Sequence, residues 1–355
     1  MSDNYAVTLM AVGDIMLGDH PICLGHGVGS VIKKEGPEYI FDNVSDVLKK
    51  ADITFGNLES VLSDIGIDYG NYNTIQLRGA ETSVNGLLHA GFDVLSIANN
   101  HILEHGENSL IRTKKLLSDN GILAVGVSEN KRKSREPVIF VRNGISFGFL
   151  AYCLVRDKTA YCSVEDSQDM ISDIRKAKDN IDILIVSLHW GKEFVRKPSP
   201  EQFSLAHRII DAGANLVLGH HPHVLQGVET YNEGMIVYSL GNFVFDMWQR
   251  KMRESMIFSC RFSKNGIVDF KIMPVYINDF YQPCLLQENA KHILLSKIMD
   301  EFLEHVVEDA YQEEVWACRT KYRLELVIHL IINFYKYNPI YLCQIAKNFI
   351  NKQRC

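Results

Sequence analysis

The sequence has no excess of positive charge, no CxxC pair and no uninterrupted apolar run long enough to span a membrane. Its formal charge is −6 and its pI about 6.1, which argues against a protein built to hold nucleic-acid phosphates. Eight cysteines, at positions 23, 153, 162, 260, 284, 318, 343 and 355, are scattered along the chain. That scatter suits reduced thiols in a cytosolic protein better than a disulfide framework. The opening residues MSDNY carry no basic start and lead into the short apolar run Ala6–Val12, which has the length of a strand and not of a signal core. The other greasy stretch, Leu324–Ile345, is interrupted by His329, Asn333, Lys336, Asn338 and Pro339. The expectation is therefore a cytoplasmic protein without a membrane span. P-loop and GxGxxG patterns are also missing, which removes support for a nucleoside triphosphatase or a Rossmann dehydrogenase.

What is present is an ordinary globular composition. The 355 residues are 46% hydrophobic and 23% charged, which excludes disorder or coiled coil as the main state. The length allows two domains, or one large α/β domain with an appendage. One pattern recurs through the first 245 residues or so. A helix-like segment passes through a turn into a short apolar strand that ends in polar residues. Asn43–Lys50 leads to Asp52–Phe55 and then Asn57 and Glu59; Thr82–Ala90 leads to Val94–Ile97 and then Asn99-Asn100-His101. Ser172–Asn180 leads to Ile181–Leu188 and His189; Glu201–Ala212 leads to Leu216–Leu218 and Gly219-His220-His221-Pro222-His223. The opening strand delivers Gly13-Asp14 in the same way. The strands are Val, Ile and Leu runs with little alternation, as expected of a parallel sheet covered on both faces. Asn143-Gly144 and Asn265-Gly266 predict antiparallel hairpins between such units. After Pro283 the strand pattern stops, so residues 1–284 are read as one domain and 285–355 as a helical extension.

In an open α/β sheet the carboxyl ends of the strands face one crevice. Here those ends carry Asp14, Asn57, Glu59, Asn100, His101, His189, His221 and His223, a set of carboxylates, amides and imidazoles that suits a divalent metal ion. Taken singly, several have plain structural explanations. Gly-Asp after a strand is usually a turn, and an asparagine before Ile102–Ser118 caps a helix. Three imidazoles in four positions have no packing advantage and are costly to bury unpartnered. His221 and His223 are expected to point to one side of an extended segment and His220 to the other. The remaining histidines, His20 and His105 among them, read mostly as surface or packing residues. Arg78, in Gln76-Leu77-Arg78-Gly79, reads equally well as an anion ligand or a solvated loop charge.

In their order, Gly13-Asp14-Ile15-Met16-Leu17, Asn57-Leu58-Glu59, Ala98-Asn99-Asn100-His101, Leu188-His189-Trp190-Gly191 with Glu193, Gly219-His220-His221-Pro222-His223 and Ser239-Leu240-Gly241-Asn242-Phe243 resemble the CapA family of capsule and poly-γ-glutamate synthesis proteins. The resemblance spans residues 7–245 and implies a four-layer α/β/β/α sandwich of the metallophosphatase (calcineurin-like phosphoesterase) type. It implies one or two divalent ions, without choosing among Mn, Zn, Fe and Mg, held by Asp14, Glu59, Asn100, His189, His221 and His223. His101 would then protonate the leaving group beside Asn100. Glu193, Asn242 and His220 would orient the ligands. Met16 stands where a ligand His is expected, and a thioether is a poor ligand for a hard cation. Three roles follow from the resemblance. They are a metal-dependent hydrolase of a phosphoester or an anionic polymer, a polymer assembly or export factor without turnover, and a binding module on a degenerate metal fold. The partner expected is an anionic small molecule or polymer, with no nucleic acid. Lys321, Arg323, Lys336, Lys347, Lys352 and Arg354 make the tail locally basic, but a packed helical cap is favoured there over membrane contact.

Overall fold

The computed structural model describes residues 6–128, 130–155, 167–337, 339, 341 and 344. Residues 1–5, the cysteines at 162, 343 and 355, and Lys347, Lys352 and Arg354 lie outside them. The described strands are, in chain order, β1 (Val7–Ile15), β2 (Ile53–Leu58), β3 (Val61–Leu62), β4 (Arg78–Gly79), β5 (Val94–Ser96), β6 (Leu123–Val125), β7 (Val138–Arg142), β8 (Ile145–Cys153), β9 (Ile183–His189), β10 (Leu216–His220), β11 (Val228–Tyr231), β12 (Gly234–Val237), β13 (Asn242–Val244), β14 (Glu254–Ser263), β15 (Gly266–Ile277) and β16 (Pro283–Leu285).

They form two large sheets of a mixed α/β fold. One runs β16-β15-β14-β1-β2-β5-β6, with β13 beside the end of β1; the other runs β11-β12-β10-β9-β8-β7. Within the first, β1, β2, β5 and β6 are parallel and β14–β16 antiparallel. Within the second, β8, β9, β10 and β12 are parallel, flanked by hairpins. The Asn143-Gly144 hairpin joins β7 to β8 with both turn residues at positive φ (51° and 76°), the backbone a two-residue hairpin requires. At the Asn265-Gly266 hairpin the turn is Lys264-Asn265, and Gly266 already pairs with Ser263.

Side-chain alternation shows how the sheets pack. In β9, Ile183 and Ile185 join the main core, while Leu184, Val186 and Leu188 join a second cluster with helices Ser167–Lys178 and Pro200–Asp211. β8 and β10 split in the same way. One face of the second sheet therefore meets the first sheet, where Phe55 stacks on Phe149 with ring centroids 5.8 Å apart. Its other face is covered by helices. Each such fully buried Leu, Ile or Phe contributes about 1.5–3 kcal/mol by leaving water. Helix Pro200–Asp211 starts where the chain dictates: Ser199 and Gln202 form a reciprocal capping box and Pro200 opens the first turn, satisfying amide groups the helix leaves bare.

Beyond β16 the described elements are helical, chiefly Glu288–Met299 and Glu308–Ile332. The longer helix lies against the preceding part of the chain. Tyr322 stacks on Phe194 at 4.3 Å, His329 on Trp248 at 4.3 Å, and Gln249 donates to Glu325 at 2.6 Å.

Candidate metal centre

Strand register brings the polar ends into line. Asp14 pairs with Asn57 across β1 and β2, Asn57 with Ser96 across β2 and β5, and His189 with His220 across β9 and β10. The carboxyl ends of both sheets thus meet. Two glycines permit the approach: a Cβ on Gly13 would sit 1.9 Å from the Gly241 carbonyl oxygen, and one on Gly219 would sit 1.9 Å from that of Tyr238.

Asp14 is fully buried. It accepts from Asn57 Nδ2 at 2.8 Å, from His220 Nδ1 at 3.1 Å and from the His221 amide at 3.2 Å. Burial alone would raise its pKa, but the His220 hydrogen bond, the His220 and His223 charges and Asn57 outweigh it and hold the pKa below the ordinary value. Asn57 is itself braced by Asn99, whose amide also donates to the Leu58 carbonyl at 2.8 Å.

Glu59 is the contrasting carboxylate. It is equally buried, yet neither oxygen has a hydrogen-bond partner. Its Oε1 lies 3.5 Å from His189 Nε2, 3.8 Å from His223 Nε2 and 3.9 Å from His101 Nε2. Burial, then repulsion from Asp14 and Glu193, pushes its pKa well above the usual carboxylate range. His189 Nε2 also sits 2.7 Å from Asn100 Oδ1. His221 Nδ1 is buried without a partner, and burial lowers the His221 pKa to about 3. Burial, then the neighbouring imidazoles, likewise depresses His189. His223 donates from Nδ1 to Asn242 Oδ1 at 2.9 Å, while the Asn242 amide is fixed by the Met252 carbonyl. That pairing leaves His223 Nε2 with a free lone pair facing Glu59, the second-sphere arrangement that metal-bound imidazoles use.

Three groups of ligand atoms lie within 4.8 Å of one another: Glu59, His189 and His221; Glu193, His221 and His223; and Asp14, Glu59 and His223. Atoms held about 2.1 Å from one ion are roughly 3–3.4 Å apart, and the 3.5 Å from Glu59 Oε1 to His189 Nε2 fits that spacing closely. An ion would also satisfy the unpartnered lone pairs on Glu59 and His221. Neutral imidazoles and carboxylates are also the donor set such ions take.

Three features differ from the sequence reading. His221 and His223 both have positive φ, 95° and 56°, so they lie in a strained turn and not in an extended segment. The turn is held by the Asp14 carboxylate and by the Phe194 amide on the Pro222 carbonyl. His220 ends β10 and points at Asp14. Nor does any asparagine cap the following helix, which starts at Glu107 after Gly106; Asn99 and Asn100 serve the cluster instead. Arg78 is buried and donates to the Ile65 carbonyl and to Ser109, so it is not a solvated loop charge. It lies outside the imidazole cluster and lines an adjoining cavity of about 560 Å³ with Asn73, Glu104, His105 and Asn108. Met16 packs in an apolar cluster with Leu77, Phe194 and Phe245, its sulfur accepting from the Gly18 amide.

Sequence reasoning missed two residues. Glu104 accepts from His101 Nδ1 at 2.8 Å, and the signal was the His-x-x-Glu spacing within one turn. His20 comes close to the cluster; burial, then the charges of His223 and His101, lowers its pKa to about 3.

The CapA capsule biosynthesis protein of Bacillus anthracis is 34% identical over 293 residues, covering 78% of this chain and 69% of that protein. The CapA poly-γ-glutamate (PGA) biosynthesis protein of Bacillus subtilis is 31% identical over 280 residues, covering 76% and 71%. A solved structure of a novel phosphatase from Mycoplasma pneumoniae aligns with a TM-score of 0.49 at 10% identity, over 76% of this chain and 94% of that one. The family described as bacterial capsule synthesis protein PGA_cap matches residues 8–247. Every residue of the cluster falls inside that match, and the chain belongs to this family of capsule synthesis proteins.

Proposed function

We propose that this protein is a metal-dependent hydrolase of an anionic substrate, a phosphoester or an amide-linked polymer such as poly-γ-glutamate, acting in capsule or poly-γ-glutamate synthesis. The observation that carries this reading is Glu59, a fully buried carboxylate with neither oxygen hydrogen-bonded, facing His223 Nε2, whose lone pair is also free. Such a group is costly unless a cation compensates it. Asp14, Glu59, Asn100, His189, His221 and His223 would hold one or two divalent ions. A bound ion supplies Lewis acidity and lowers the pKa of water toward about 7. His101, about one-fifth exposed, has Nδ1 held by Glu104 and Nε2 turned inward. With Nδ1–H on Glu104 and Nε2 accepting from Asn100 Nδ2 at 3.2 Å, His101 would first take up a proton at Nε2 and then give it to a leaving group, help worth about 10²–10⁴-fold. Glu193 joins His221 and His223 at the same crevice.

A second reading, an assembly factor without turnover, is favoured by Met16, whose thioether is packed among apolar side chains where a ligand is expected. The names of the relatives, which describe biosynthesis and accessory proteins, fit it as well.

The two readings separate in one experiment. Bound metal is measured in protein purified without chelator, for wild type, Asp14→Ala and His221→Ala, beside hydrolysis of a generic phosphoester and of poly-γ-glutamate. The hydrolase reading expects near-stoichiometric metal and turnover, both lost in the variants. Metal without turnover on either substrate supports the assembly factor. Absence of metal under several supplements refutes the hydrolase reading.

A further inference from the structure

The helix Glu308–Ile332 is apolar on two opposite faces, and only one of them is covered. Tyr311, Val315, Cys318, Tyr322 and His329 follow one another at helical spacing and pack on the body of the protein. On the other side Leu324, Val327, Ile328, Ile331 and Ile332 are 62%, 53%, 46%, 67% and 64% exposed. Their spacing, i, i+3, i+4, i+7 and i+8, makes one continuous stripe about 12 Å long at 1.5 Å per residue. Exposed aromatic side chains stand at both ends, Trp316 before the stripe and Phe334 and Tyr335 after it.

Charge decides what fits this stripe. The first turns of the helix are acidic, with Glu308, Asp309, Glu313 and Glu314, but from Val315 to Tyr337, where the stripe lies, the charged side chains are Arg319, Lys321, Arg323 and Lys336, against Glu325 alone. Glu325 is engaged by Gln249, with Lys321 at 3.9 Å. Arg319, Lys321, Arg323 and Lys336 are exposed. At 100° per residue, Lys321 and Arg323 fall on opposite flanks of the stripe. Two copies packed through this face would press like charges together. An anionic lipid surface accepts both the apolar stripe and its basic flanks, with the aromatic ends at headgroup depth. No described helix is long and apolar enough to cross a membrane, so the contact is in the plane of the surface.

We propose that the outer face of the later part of this helix, from Trp316 to Ile332, lies in the interface of an anionic lipid membrane. Exposure of the stripe reverses the weight the sequence gave to a fully packed cap.

The test is sedimentation of the full chain with vesicles of phosphatidylcholine containing phosphatidylserine, and with vesicles of phosphatidylcholine alone. The wild type is expected to pellet with the first and much less with the second, and to be released by salt. Leu324→Gln with Ile331→Gln, both at exposed positions, should weaken binding more than about tenfold. Lys321→Gln and Arg323→Gln should each weaken it about fivefold. Unchanged melting temperatures would show that the variants fold. Protein that stays in the supernatant with both vesicles overturns the proposal. So does lipid-free self-association that the Leu324→Gln and Ile331→Gln pair abolishes, since a second copy would then cover the stripe.

Discussion

Replacing Glu59 with glutamine should have opposite effects with and without metal. In chelator, Glu59 is a buried carboxylate with no hydrogen bond, close to Asp14 and Glu193. Because its pKa is raised, the folded chain bears either a buried charge or the cost of taking up a proton there, and the amide is neutral at any pH with nearly the same volume. Relief of an unsatisfied buried polar group is worth about 1–3 kcal/mol. At about 2–4 °C per kcal/mol for a large domain, the metal-free variant should melt several degrees above the metal-free wild type. With metal the order reverses. An ion at 100 times its dissociation constant stabilises the wild type by about 2.7 kcal/mol. If the glutamine weakens binding about 100-fold, the same concentration stabilises the variant by only about 0.4 kcal/mol. Thermal melts of both proteins, in chelator and across a titration of Mn, Zn and Mg, read the four quantities directly. Equal metal-induced shifts in the two proteins would refute the assignment of Glu59 as a ligand. A lower melting temperature for the metal-free variant would refute the claim that its carboxylate is uncompensated.

Glu104→Ala should lower turnover roughly tenfold or more while leaving bound metal unchanged, because the residue holds His101 and touches no proposed ligand; elemental analysis beside steady-state kinetics separates the two effects. Asp246 is buried beside Asp19, and burial, then the Asp19 charge, raises its pKa to about 8. The folded chain therefore keeps this proton where the unfolded chain has lost it, and its contribution to stability falls as pH rises from about 4 to about 8. Asp246→Asn should flatten that decline, on the order of several kcal/mol at full titration, in urea midpoints taken at pH 6 and pH 8. Gly13→Ala should cost about 3 kcal/mol or prevent folding, since its Cβ would meet the Gly241 carbonyl, which is backbone and cannot swing aside; chemical denaturation or soluble yield checks this.

The strand-end residues were legible because a parallel sheet converts chain order into place. A short apolar run followed by Asp14, Glu59, Asn100, His189 or His221 marks both a strand and the crevice it opens into. Local conformation was less legible. His221 and His223 face the cluster through positive φ at both residues, a backbone imposed by the Asp14 carboxylate and the Phe194 amide, neither adjacent in sequence. The helix after His101 starts later than its apolar pattern suggests, because Asn99 is drawn to Leu58 and Asn57 instead of to a helix amide. Arg78 read equally well as an anion ligand or a loop charge, since nothing nearby in sequence reveals that Ile65 and Ser109 enclose it. Met16 gave a fair signal: a residue type wrong for a ligand is found in an apolar cluster.

Phe194 adjoins Glu193, its amide holds the Pro222 carbonyl between His221 and His223, and its ring is stacked on Tyr322. The match to the family ends at residue 247, and Tyr322 lies well past it. The groups that would do chemistry and the wall behind them therefore belong to separate stretches of chain. Substitutions or exchanges in the later stretch can reshape the crevice without touching one ligand. A protein cut back to its family-matched core would keep every imidazole of the cluster and lose the Tyr322 ring that backs Phe194 behind their turn.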